Sequence, residues 1–216
     1  MDKKIVLLSL FACLFLVGCT PIQDMTLEEV IKIGTERTVE VYNKYRKGYK
    51  YNLPKGLETY DNSEYNEIIM GNDYTYYLYV DAVSYYNKVI EKYEENDKSY
   101  ISMQINYQDK YGYLEINELS SGKYFIEIMY NYAKIEVIVN KEDINVVVSN
   151  SLSILSSVKF NDDVLKNLLD EETSQFKEFQ FDIFETTTTT NESEYLQAVE
   201  EEDVQDDEVH DTDLIN

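Results

Sequence analysis

One histidine, two cysteines and seven glycines are all that 216 residues offer of three residue types on which much enzyme chemistry depends. The histidine, His210, stands in a run of acids near the end of the chain. Ser-His-Asp triads, Cys-His dyads, histidine zinc sites and haem ligation by histidine are thereby excluded on inventory. The six glycines beyond Gly18 are never closer than eight positions. A phosphate-cradling loop or a dinucleotide fingerprint needs tighter spacing, so neither can be assembled. An Asp-x-Asp-x-Asp-Gly calcium loop is also lacking. Bases are scarce, with 19 Lys and Arg against 42 Asp and Glu, a net charge of -23 and a pI near 4.3. Neutralising phosphates needs clustered Lys and Arg, so nucleic acid is not an expected partner. The residue pattern calls for no cofactor and no metal.

At the amino terminus Lys3 and Lys4 precede an apolar stretch over residues 5–17. A charged start and a short apolar run read as a secretory signal peptide. The run falls short of the about 20 apolar residues that a transmembrane helix needs. It ends Leu16-Val17-Gly18-Cys19. This tetrad resembles the bacterial lipobox, with small Gly18 before the cut and Cys19 after it. Covering the first 20 residues, the resemblance implies that residues 1–18 are a removed signal peptide and that the Cys19 thiol carries diacylglycerol, its amino group often being acylated too. Two or three chains anchor stably where one is marginal, at about 0.8 kcal/mol per buried methylene. Cys13 leaves with the signal and Cys19 is consumed, so the mature chain is expected to have neither free thiol nor disulfide. The expected location is the extracytoplasmic face of the cytoplasmic membrane, with the membrane itself as partner through the lipid on Cys19.

Beyond the signal, residues 19–24 read as a short lipidated tether, 25–184 as one domain and 185–216 as a tail. The tail holds twelve acids and no Lys or Arg, behind five consecutive threonines at 186–190. Such a run repels itself and buries little, so disorder is expected, with solvation and spacing favoured over binding of cations or a basic partner. With 44% hydrophobic and 13% aromatic residues the chain can bury a real core, and 20 of its 21 tyrosines fall within residues 42–132.

Thr26 is a candidate N-cap, with Glu28 and Glu29 in the first turn of a helix predicted to run to about residue 46. Residues 48–53 read as a short strand stopped by Pro54 and Gly56. Residues 73–83 read as a long one, with Tyr76, Leu78, Val80 and Ala82 on one face and Tyr77, Tyr79 and Val83 on the other. A charged loop or helical turn is expected over 87–97. Period-2 alternation over 100–107, 111–119, 124–130 and 134–140 predicts an antiparallel meander. The period then changes, as Ile144, Val147, Val148, Ser151, Leu152 and Leu155 recur at helical spacing behind Asn140 as candidate N-cap. A last strand is expected near 158–160 and a short helix at 164–169, with Phe176, Phe179, Phe181 and Phe184 pinning an irregular segment. The fold class is α+β: an antiparallel sheet of about five to seven strands with an N-terminal and a C-terminal helix packed on it.

The stretch Gly48-Tyr-Lys-Tyr-Asn-Leu-Pro-Lys-Gly, together with the closing helix and its Ile154-Leu-Ser-Ser-Val-Lys-Phe ending, resembles the PsbP, Mog1 and DcrB-like group over about residues 48–160. The resemblance implies an antiparallel sheet with packed helices and a mostly non-enzymatic accessory or assembly role. It implies no catalytic residues.

Two kinds of candidate site remain. Paired carboxylates can do acid-base work, as in glycosidases. Asp81 interrupts an aromatic strand, where alternation makes it an outward-facing residue beside Tyr77 and Tyr79. Tyr74, Tyr77, Tyr79, Tyr85 and Tyr86 form a candidate binding face able to stack on sugar rings or an envelope protein, although tyrosine is also simply a good strand residue. The expected function is a membrane-anchored, non-enzymatic binding or accessory factor. The alternative is a carboxylate-dependent cell-wall or glycan-acting enzyme. A deep pocket with two facing carboxylates would favour the enzyme, and a Tyr-rich sheet face or exposed edge would favour binding.

Overall fold

The computed structural model describes residues 20–37, 41–63, 65–90 and 92–171. Gly18, Cys19, the four phenylalanines at 176–184 and the acidic tail lie outside the described residues.

Residues Ile22–Asp24, expected within the tether, form a 3-10 turn, and helix α1 follows at Leu27–Glu36. Thr26 caps α1 as its sequence predicts: its hydroxyl accepts from Glu29 N, and its own N–H donates to Glu29 Oε2 at 2.9 Å. This reciprocal pairing satisfies two orphan donors at once. The helix ends at Glu36 rather than near 46, because residues 44–46 belong to a strand. Asn43 pins that strand, donating to the Leu53 carbonyl at 2.9 Å and accepting from Leu53 N at 2.7 Å.

Among the described residues, ten strands follow in two antiparallel sheets. Strands β1 (Lys44–Arg46), β2 (Tyr49–Tyr51) and β10 (Lys159–Phe160) form a small sheet in the order β1-β2-β10. Strands β3 (Glu58–Ser63), β4 (Asn66–Gly71), β5 (Tyr74–Val80), β6 (Ile101–Tyr107), β7 (Lys110–Glu118), β8 (Tyr124–Tyr130) and β9 (Ala133–Val139) form the large one, ordered β3-β4-β5-β9-β8-β7-β6. Helix α2 (Ala82–Asn87) and the segment after it carry the chain from the middle of this sheet to its far edge. Helix α3 (Ile144–Leu155) and helix α4 (Asp162–Glu171) close the chain. The class is α+β, as expected.

Period-2 burial in β8 and β9 sends Tyr124, Ile126, Ile128 and Tyr130, and Ala133, Ile135, Val137 and Val139, into the core. Helix α3 lays Val147, Val148, Leu152 and Leu155 on that face. Each such side chain contributes about 1.5–3 kcal/mol by burial. Helix α1 crosses α3 closely, since a Cβ on Gly34 would stand 2.7 Å from Leu152 Cβ.

Two further expectations need correction, and one hairpin was not foreseen. The hairpin β3–β4 is absent from the sequence reading, because β3 is a polar edge strand with a bulge between Thr59 and Asp61 and its exposure does not alternate. Such an edge resists pairing with other chains. Asp81 does not face outward from a strand. Strand β5 ends at Val80, and Asp81 Oδ1 accepts from Ser84 N at 2.7 Å as the N-cap of α2. Asn140 makes no side-chain cap bond, because a 3-10 turn over Lys141–Asp143 leads into α3.

One polar cluster joins the two sheets. Glu67 of β4 points to the core, with its side chain fully buried. Its carboxylate accepts from Arg46 Nη2 at 2.5 Å, Tyr51 OH at 2.8 Å and Tyr49 OH at 3.1 Å. Burial first, and then the Glu67 charge, pushes both tyrosines far above their ordinary range. A buried charge survives only when paired and hydrogen-bonded, which these three donors supply.

Candidate functional site

The alternation that sends one set of side chains into the core aligns the other set on the outer face of the large sheet. In register across five strands lie Tyr77, Glu136, Glu127, Glu115 and Ser102, and beside them Tyr79, Lys134, Met129, Tyr113 and Gln104. Adjacent strands are about 4.8 Å apart, so three glutamates stand side by side, an unfavourable arrangement unless compensated. Lys134 Nζ compensates two of them, at 2.7 Å from Glu136 and 3.7 Å from Glu127, and Tyr113 OH donates to Glu127 at 2.6 Å. Glu115 takes hydrogen bonds from Tyr93, Ser99, Asn96 and Asn117. Burial pushes the Glu115 carboxyl up, but these four donors outweigh it and hold it below its usual range.

Glu136 is the exception. Burial, helped by the Glu127 charge and hydrogen bond, outweighs Lys134 and pushes its carboxyl up to about 7 from 4.5. The folded state therefore holds a proton that the unfolded chain releases. The resulting stability is complete below about pH 4.5 and disappears as pH rises through about 7. Replacing Glu136 with Gln removes this loss. Its melting temperature relative to wild type is expected to climb between about pH 5 and about pH 8, equivalent to roughly 2 kcal/mol. Parallel calorimetric curves for the two proteins would show Glu136 ionised throughout.

Above the neighbouring strands runs the segment after α2. The Tyr93 ring stacks on Tyr113 with centroids 4.1 Å apart and planes at 5°. The Tyr93 hydroxyl donates to Glu115 Oε2 at 2.6 Å and lies 2.6 Å from Ser102 Oγ. Burial and the Glu115 bond push this phenol up to about 12. The Tyr93 carbonyl accepts from Gln104 Nε2, and Asn96 N donates to Ser102 Oγ at 2.7 Å. Held at this height, the segment leaves a groove of about 490 Å³ against β6, β7 and β8. Val89, Ile90, Tyr93, Gln104, Asn106, Tyr111, Gly112, Tyr113, Met129 and Tyr132 line it, with Lys92 and Glu94. Val89 (54%), Ile90 (51%) and Tyr111 (45%) are among the most exposed large apolar residues described, and all three converge here.

The five tyrosines proposed from sequence do not make one face. Tyr77 and Tyr79 lie on the outer face of β5. Tyr74 lies on the opposite face, where its hydroxyl donates to Asp143 at 2.5 Å and accepts from Asn140. The turn at Asp81 carries Tyr85 and Tyr86 away on α2. Tyr85 stacks on Phe160 at 3.9 Å, meets Tyr132 edge-on and donates to Asp162 at 2.9 Å. Burial and that carboxylate push its phenol up to about 12. Tyr86 is half-buried on the same helix. None of the five lines the groove.

The groove tyrosines Tyr111 and Tyr113 share a face by simple alternation, so that half of the site was available to sequence reasoning. The roof was not, because residues 88–97 show no periodicity. Chemically the described lining offers aromatic faces, aliphatic walls and two amides, with one lysine, Lys92, and one glutamate, Glu94. Among the described residues, Glu94 is the one carboxylate in its lining. Among the described residues no group of three Cys, His, Asp or Glu is placed to hold a metal ion. Comparison with protein families, curated proteins and solved structures gives no match to this chain.

Proposed function

We propose that this protein is a membrane-anchored bacterial lipoprotein that serves as a non-enzymatic binding or accessory factor at the outer face of the cytoplasmic membrane. Its lipid is carried by Cys19, and its binding site is the groove between residues 88–97 and strands β6–β8. The observation that carries the reading is the convergence of exposed Val89, Ile90 and Tyr111 on one preformed cavity. Exposed apolar surface gathered in a concave site with a few polar groups is the usual signature of a ligand site. Tyrosine faces beside the amides of Gln104 and Asn106 suit a neutral, ring-bearing chain such as a cell-wall glycan. The net charge of -23 disfavours an anionic one.

A carboxylate-dependent enzyme is the second reading, favoured by the directly opposed Glu127–Glu136 pair. The pair is weak support, because Glu136 is only 5% exposed and neither residue lines the groove.

The test is calorimetric titration with soluble cell-wall glycan fragments. Tyr111→Ala, which removes an exposed wall residue, is expected to weaken binding about tenfold while leaving the melting temperature nearly unchanged. Binding equal to wild type would remove the groove from the reading. Product release abolished by Glu127→Gln would establish the enzyme instead.

A further inference from the structure

The stretch between the lipid-bearing cysteine and the folded body is almost fully consumed by structure. The turn Ile22–Asp24 is closed by Asp24 N donating to the Pro21 carbonyl at 3.0 Å. Asn145, in the first turn of α3, clamps it from the body: its Nδ2 donates to the Met25 carbonyl at 2.8 Å and the Ile22 carbonyl at 3.3 Å. Met25 and Leu27 then pack against the core, and the Thr26 capping box starts α1. At Pro21 the chain has thus already entered the domain.

We infer that the protein does not sway on a flexible tether but stands on the membrane in one orientation, with the Asn145 end of the domain against the lipid surface and the groove pointing away. The inference rests on the reading of Cys19 as the acylated residue. Only Thr20 separates Cys19 from the docked turn, so the leash spans two Cα steps, about 8 Å at most. The end that meets the lipid surface is made of the first 3-10 turn, the start of α1 and the turn Lys141–Asp143. Strand β9 gives the direction. Its Val139 end runs into Lys141–Asp143, and its Ala133 end adjoins Tyr132 of the groove. Seven strand residues place these ends about 20 Å apart. Asp24, Glu28, Glu29 and Glu142 are exposed at the lipid-facing end. Anionic headgroups repel such an end, so the acyl chains and the short leash set the orientation rather than charge.

A mature chain whose one remaining thiol is acylated accepts a single engineered label. Full-length lipidated protein carrying Glu142→Cys or Asp109→Cys, each bearing a fluorophore, is placed in phosphatidylethanolamine–phosphatidylglycerol vesicles containing a headgroup-attached nitroxide quencher. Glu142 lies in the turn before α3 and Asp109 in the turn between β6 and β7, at the groove end. Quenching is expected to be several-fold stronger at 142 than at 109. Asn145→Ala, or a long Gly-Ser insert between Thr20 and Pro21, should erase most of that difference. Equal quenching at the two sites in fatty-acid-labelled, vesicle-bound protein would overturn the orientation and leave the anchor standing. Label uptake by Cys19→Ala protein equal to wild type would overturn both.

Discussion

Arg46→Ala is expected to destabilise the domain by about 3–5 kcal/mol, a loss of about 10 °C in melting temperature for a domain of this size. The size of the effect follows from what remains. Arg46 is partly exposed, its side chain at 20%, whereas the Glu67 side chain is at 0%. Removing the arginine therefore leaves the carboxylate in the core with two tyrosine hydroxyls and no countercharge. Breaking a buried pair costs far more than the pair contributes over an apolar replacement, because the stranded charge keeps its full desolvation penalty. The companion substitution Glu67→Gln should restore much of the loss, since the amide carries no charge, its oxygen accepts from one tyrosine hydroxyl and its NH2 can donate to the oxygen of the other. A urea-denaturation double-mutant cycle measures the coupling. A loss below about 1 kcal/mol for Arg46→Ala would mean that water reaches Glu67 when the arginine is gone. Hydrogen exchange should show β1 and β2 opening first, because this cluster ties the small sheet to β4.

Gly112→Ala is the second large effect, about 3 kcal/mol, and it falls on the floor of the groove. Gly112 sits in β7, opposite Ile105 of β6 and Tyr130 of β8. A Cβ there would run into the Met129 carbonyl oxygen and stand 2.7 Å from its carbon and 2.8 Å from Tyr130 Cα. These are backbone atoms in a central sheet and cannot swing aside as a side-chain tip would. Strands β7 and β8 must separate locally, straining their ladder and displacing Met129 and Tyr113 from the groove. Calorimetry and glycan titration should thus fail together in Gly112→Ala, whereas Tyr111→Ala should affect titration alone. Wild-type stability in Gly112→Ala would show that the two strands can part without loss.

The meander β6–β9 and helix α3 were legible because their signals are local. Alternation in residues 124–130 matches β8 end to end, and the change to helical spacing at Ile144 marks α3. Thr26 was legible as a cap for the same reason, its partner Glu29 being three residues away. Strand β3 was not, because its residues are polar on both sides and only the neighbouring β4 makes them a strand. Asp81 was misplaced because period-2 alternation continues past Val80 in the sequence, while the backbone turns there to start α2. The same turn carried Tyr85 and Tyr86 away from the proposed face, whereas Tyr74 was parted from Tyr77 and Tyr79 by the alternation of β5 itself.

What the residues determined by themselves is the chemistry available: one histidine, set in the acidic run near the end of the sequence, no phosphate-binding glycine pattern, a surplus of acid, and patterns of period 2 and 3.6 that dictate an α+β domain. Each depends on inventory or on neighbours within one or two turns of chain. Only the tertiary structure decided that Glu67 would be buried against Arg46, Tyr49 and Tyr51, that three glutamates would stand in register, and that Tyr93 would roof a groove over Tyr111 and Tyr113. These arrangements join residues about 10 to 20 positions apart on different segments of the chain. Their register is set by which faces must be buried together, and no segment carries that information alone.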